Sequence, residues 1–283
     1  MEKMSMSPQE VITFRETPSL KDATLLMAFT GWMDGGEVST GTVNRIIDLL
    51  EAKPFAELNP EPFYIFNFPG SMETAAMFRP EIEIANGLVT NVEMPKNTFY
   101  LDETSNLVFF VGAEPHLCWP TFRDTLIFLA DQIGISRFLF SGSFGGAVPH
   151  TRQPRLYITA SEERLLDAMQ PFGVRRTSYK GPGSFMSYLM TQVPSAGLEM
   201  ISLIAEIPGY LHGRNPMSIE AVTRQLAGIL QLPLKLDSLR QASNNWEEEV
   251  STIVQENDEL LEKIREMERD YDDELISDDS FPE

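Results

Sequence analysis

Four times along the chain a short, almost unbroken apolar run gives way to a stretch with helical spacing. The runs are TLLMAF (24–29), NLVFFVG (106–112), SRFLFSG (136–142) and LEMISLIAEIP (198–208). A strand with one wet face alternates apolar and polar residues, whereas a strand covered on both faces has no need to. After the first run, Val43, Ile46, Ile47 and Leu50 recur on one helix face. After the second, Pro120 stands where a helix starts, Phe122, Leu126, Leu129 and Ile133 follow at helical spacing, and Gly134 is placed to end it. RLYITAS (155–161) reads as a further strand, with Ser161 positioned to cap the helix after it. Residues 181–197 read as a helix closed by Pro194 and Gly197. Asn215, Pro216 and Pro233 read as the cap, first residue and stop of another. The alternation predicts an α/β layer fold, with helices on both faces of a largely parallel sheet. Asn86-Gly87, between two alternating runs, predicts a hairpin. A hairpin within 63–92, inserted between two parallel strands, would make the sheet mixed.

Beyond residue 236 the character changes. Residues 237–283 hold 17 acids and 4 bases, so 17 − 4 = 13 of the net charge of −20 lies there. Trp246, Val250, Ile253, Asn257, Leu260, Ile264, Met267 and Tyr271 step by four and three, a heptad seam flanked by acids. This predicts an amphipathic helical extension over 237–275, as one helix or as two broken near ENDE, attached to an α/β domain of residues 1–236. The polar stretch 276–283 is expected to stay unfolded. The seam packs either on the protein's own body or on a partner through Trp246, Val250, Ile253, Leu260, Ile264 and Met267.

Charge and composition narrow the functions. A net charge of −20 repels nucleic-acid phosphates and anionic membranes. No apolar run is long enough to span a bilayer and no signal-peptide core is evident, so a cytoplasmic location is expected. A single cysteine, Cys118, excludes a disulfide framework and reads as a small core residue.

Three loops follow strand ends, where open α/β sheets bind ligands. TGWMDGGEVSTG (30–41) has neither the lysine of a phosphate loop nor the glycine spacing of a dinucleotide loop. Asp34 and Glu37 put negative charge where an anion would sit. The stretch is therefore a capped corner, with Asp34 as cap, or one wall of a ligand crevice. GAEPHLCWP (112–120) places Glu114, His116 and Cys118 at alternate positions, too few donors for a structural metal site. SGSFGGAVPHTRQP (141–154) misses the nucleophile-elbow spacing, which weakens any Ser143–His150 triad. Gly31, Trp32, Asp34, Glu37, Glu114, His150, Thr151 and Arg152 are the candidate crevice residues, with His150 the natural acid–base group. No cofactor and no metal are expected.

Taken together, FTGWMDGGEVSTG (29–41), LVFFVGAEPHLCWPTFRD (107–124), PHTRQP (149–154), YKGPGSF (179–185) and the LPLKLDSLRQASNNWEEEV junction (232–250) resemble the proteasome assembly chaperone 2 family, in its bacterial and archaeal branch. The resemblance covers about residues 24–267. It implies a three-layer α/β/α fold like that of purine nucleoside phosphorylases. It also implies homo-oligomers, often trimers or multiples of them, and a chaperone or scaffold role toward a protein client. Some relatives dock through a C-terminal hydrophobic–Tyr–any motif. This sequence ends in SFPE and lacks it. Two functions follow: a non-catalytic oligomeric protein-binding module, or a nucleoside- or amino-acid-related enzyme or sensor that uses the strand-end crevice.

Overall fold

The computed structural model describes residues 6–279. A short helix α1 (Pro8–Val11) leads into β1 (Ile12–Phe14) and then β2 (Ala23–Thr30), α2 (Val38–Leu50) and β3 (Lys53–Leu58). Next come α3 (Met72–Ala76), β4 (Glu81–Ala85), β5 (Leu88–Glu93), β6 (Thr98–Asp102) and β7 (Leu107–Ala113). They are followed by α4 (Trp119–Ile133), β8 (Ile135–Gly146), β9 (Leu156–Ala160), α5 (Glu163–Met169) and β10 (Arg175–Arg176). The chain continues with α6 (Phe185–Gln192), β11 (Glu199–Pro208), α7 (Pro216–Ile229), α8 (Asp237–Gln255) and α9 (Asp258–Asp279).

The main sheet has nine strands in the order β1-β3-β6-β7-β2-β8-β11-β9-β10. The four apolar runs are its centre: β7, β2, β8 and β11 are neighbours and all parallel. Their side chains divide by parity, as a pleated strand requires. Leu25, Met27, Phe29, Phe110, Phe138 and Phe140 enter a core with α4 and α6, while Leu26, Ala28, Phe109 and Leu139 enter a second core with α2 and α7. Helices thus cover both faces, giving three α/β/α layers. The first core is aromatic: the Phe29 ring lies 5.0–6.2 Å from those of Phe110, Phe122, Phe140 and Phe185. Such tilted and edge contacts add to the burial of each ring.

The sheet is mixed, but the expected hairpin is not the cause. β4 and β5 do turn at Asn86-Gly87, both at positive φ, yet they form a separate two-stranded ribbon. Residues 63–68 are not a strand. The antiparallel pairings come from β1, β3, β6 and β9. Gly134 closes α4 at φ 82°, and the Asn215 side chain caps α7 as expected. Ser161 does not cap α5: its hydroxyl accepts the Met200 N–H and ties β9 to β11. Cys118 is exposed, not core, because it turns through φ 56° at the start of α4.

The extension is two helices, α8 and α9, parted after Gln255. The break interrupts the seam. Ile253 is 66% exposed, and Val254 takes its buried place. Ile264 and Tyr271 are buried, while Trp246, Val250, Leu260 and Met267 are half-buried. Of the tail expected over 276–283, residues 276–279 continue α9 and 280–283 lie outside the described residues.

Candidate functional site at the strand ends

The 30–41 corner is built around Asp34. Its carboxylate accepts the Thr40 N–H at 3.0 Å and the Thr40 hydroxyl at 2.8 Å. Thr40 is the third residue of α2, so Asp34 satisfies an open backbone donor of that helix from outside its first turn. Burial pushes the Asp34 carboxyl upward, and the bonds from Thr40 oppose that shift. Gly36 is required here. It sits at φ 64°, and a Cβ would lie 2.8 Å from that of Asn215, whose N–H donates to the Gly36 carbonyl. Glu37 turns outward to Arg214. Ser143 donates to the Gly35 carbonyl at 2.6 Å, while His150 bonds elsewhere. The two share no hydrogen bond, and the triad geometry is absent.

Gly31, Trp32 and Glu114 come together in a cavity of about 840 Å³ at the carboxyl ends of β2 and β7. Tyr64, Phe66, Phe78, His116 and Trp119 line it beside Trp32, and Arg79, Glu81, Glu93 and Lys96 add charge at its wall. One Glu114 oxygen accepts the Phe185 N–H at the start of α6, at 2.6 Å. His116 Nδ1 accepts the Ile65 N–H at 3.1 Å, which leaves the proton on Nε2 in the neutral ring. Tyr64 sits below, with its hydroxyl within 2.8 Å of both Asn97 Oδ1 and the Ala113 carbonyl. Burial pushes that phenol upward. Neither Asp34 nor Glu37 lines the cavity. Among the described residues no three His, Cys, Asp or Glu side chains converge on a metal position.

His150, Thr151 and Arg152 are elsewhere, beneath the C-terminal helices. His150 is 1% exposed. Its Nδ1 lies 2.8 Å from the Tyr210 hydroxyl and its Nε2 3.1 Å from Ser251 Oγ on α8. The Tyr210 oxygen already accepts the His150 backbone N–H. The consistent assignment has Tyr210 donating to Nδ1 and Nε2–H donating to Ser251. Burial pushes the His150 ring down, against the opposing pull of Glu268. Thr151 donates to Glu268. Arg152 grips Asp272 with two parallel bonds of 2.9 and 2.8 Å, the fork geometry that makes such pairs specific. Arg155 bonds Glu206 and Glu274 and stacks over Tyr271 at 4.4 Å. Tyr271 in turn donates to the Gln153 carbonyl at 3.0 Å.

The eight candidate crevice residues thus fall into three settings: the cavity, the α2 corner and the helix-covered patch. The sequence reading missed Tyr64, Phe66 and Phe78, which carry no motif. It also missed Tyr210, although its position just past the end of β11 marks it as a strand-end residue. No helix among the described residues is long and apolar enough to cross a membrane.

Solved structures share this architecture. A protein of unknown function from Mycobacterium tuberculosis superposes with a TM-score of 0.81 at 21% identity, covering 95% of this chain and 91% of its own. A proteasome-assembly chaperone homologue from the same organism gives 0.73 at 24% identity, covering 85% and 99%. An archaeal proteasome activator from Pyrococcus furiosus gives 0.61 at 20%, covering 86% and 97%. No curated protein matches the sequence. The model of the PAC2 family matches residues 28–254, most of the body and the first extension helix, and the chain belongs to that family.

Proposed function

We propose that this protein is a non-catalytic, cytoplasmic homo-oligomer, a trimer or a multiple of one, that binds a protein client as an assembly chaperone. One observation carries this reading: the polar side chains at the strand ends are occupied by the protein's own contacts. Asp34 holds α2, Ser143 holds the Gly35 carbonyl, and His150, Thr151 and Arg152 hold α8 and α9. A general base needs reach to a substrate proton, and His150 is sealed. Assembly-chaperone and activator titles among the structural relatives support the same direction. Large exposed apolar side chains, Trp32 at 66% and Tyr179 at 67%, supply contact surface.

The cavity beside Glu114 and His116 favours a second reading, a small-molecule sensor, because a concave apolar site with a few polar groups is the usual form of a ligand pocket. Two measurements separate them. In-cell crosslinking with mass spectrometry, together with native mass by light scattering, should find a reproducible protein partner and an oligomer. A nucleoside or amino acid that raises the melting temperature, with the shift lost in Glu114→Gln, would instead establish the second reading.

A further inference from the structure

The ribbon of β4 and β5 is exposed at every residue, and each of its strands has one unpaired edge. Such a ribbon is marginally stable in water. Its register pairs Ile82 with Val92 and Ile84 with Val89. Directly paired residues share a face, so these four form an apolar face, each 47–61% exposed. Met72, Met77 and Met94, which are 39–87% exposed, lie near the ribbon's base in sequence and add adaptable apolar surface. The opposite face pairs Glu81 with Glu93 and Glu83 with Asn91, and at the turn Ala85 with the exposed Leu88. Like charges directly across a pair are destabilising. No base pairs with Glu81, Glu83 or Glu93 among the described residues.

We infer that an extended segment of a partner protein completes this ribbon as a third strand, and that in this segment apolar residues alternate with Lys or Arg. A strand projects successive side chains to opposite faces. Alternation runs unbroken along β4, whereas a bulge at Thr90 interrupts it on β5. Added at the β4 edge, the segment lays its apolar residues beside Ile82 and Ile84, with Val89 and Val92 on the same face, and its bases beside Glu81 and Glu83, with Glu93 on theirs. Backbone pairing supplies affinity and the two faces supply specificity. A second copy of the ribbon has the wrong charge, since it would bring two sets of these carboxylates together. The inference rests on the protein-binding reading and gives that partner a chemistry.

The probe is a labelled eight-residue peptide alternating Val and Lys, measured by fluorescence anisotropy against the full chain. Controls are a Val–Glu peptide and a peptide of the same composition with Val and Lys in two blocks. The Val–Lys peptide should bind about tenfold or more tighter than either control and weaken as salt rises. Ile84→Asp, and separately Glu81→Lys with Glu93→Lys, should each remove that preference with unchanged circular dichroism. These residues are exposed, so the fold tolerates the changes. Equal binding of the three peptides, or variants that bind as the parent does, would overturn the inference. So would a native mass that falls in Ile84→Asp with no peptide bound, because the ribbon would then be a contact between copies. A crosslinked client that the ribbon variants retain would overturn the ribbon assignment and leave the protein-binding reading intact.

Discussion

Asp34 and His150, two of the candidate crevice residues, are each bonded to the protein's own helices. Asp34 caps α2 through Thr40. Asp34→Ala should destabilise the fold by about 1 kcal/mol, the usual cost of a lost cap, and lower the melting temperature by a few degrees. Asp34→Asn keeps one acceptor for the Thr40 N–H and should cost less. An unchanged melting temperature in Asp34→Ala would show that the carboxylate does not hold the helix. His150 gives a pH dependence. Its folded pKa is pushed below the ordinary value by burial, with only Glu268 opposing. The unfolded chain therefore takes up a proton first as pH falls. Stability from this site is complete above the unfolded value near 6.5 and declines from there through the folded pKa. Its neighbours do not compete in that range: the Tyr210 phenol is pushed up to about 12, and Arg152 holds Asp272 below the usual carboxylate range. The protection of α8 amides, taken relative to the intrinsic exchange rate at each pH, should fall as pH drops below about 6.5, and His150→Gln should flatten the dependence. Equal pH slopes in the two proteins would remove His150 from this role.

At the scale of elements, the central strands are legible in the sequence because burial on both faces makes them continuous apolar runs. β3 and β6 are not. KPFAEL contains a proline and two charges, and TFYLD is five residues long; pairing with each other and with β7, rather than local propensity, makes them strands. The seam of the extension was legible, but its partner was not. Val254, Ile264 and Tyr271 are buried, and Ser251 and Tyr271 bond to His150 and to the Gln153 carbonyl, more than a hundred positions earlier. That docking also sealed His150, which no local pattern predicts. Ion pairs hold α9 in place, Arg152 with Glu268 and Asp272, and Arg155 and Arg175 with Glu274, beside a hydrogen bond from Thr151 to Glu268. Partly exposed pairs of this kind weaken as salt rises. Arg152→Ala should therefore speed limited proteolysis within α9 several-fold while cleavage of the body stays unchanged, and the parent should move the same way as salt increases. Proteolysis of α9 that ignores both the mutation and the salt would mean that apolar contacts alone dock it.

For the molecule as a whole, the question is whether the acidic extension belongs to the fold or only rests on it. The buried residues of both cores lie between Val11 and Leu232; among the described residues of the extension, the partly buried Leu239 of α8 alone packs against one of them, the second core. In the extension Val254, Ile264 and Tyr271 are buried, and Tyr271 reaches the body through the Gln153 carbonyl and Arg155. The extension carries 13 of the 20 excess negative charges. Removing it thus relieves much of the self-repulsion of the compact state while stripping partners from His150, Thr151 and Arg152. Arg155 keeps Glu206, to which it bonds within the body. A chain ending at Leu236 should therefore unfold cooperatively, at a melting temperature lower by several degrees, with the near-ultraviolet dichroism of its aromatic core preserved. Loss of a cooperative transition would make the extension part of the fold. The native mass of the same truncation settles a second point. If the extension joins copies or holds a client, the oligomer should shrink or the client should be lost. An unchanged mass and an unchanged set of partners would confine α8 and α9 to covering their own body, and would leave client binding to the surfaces at the strand ends and the β4–β5 ribbon.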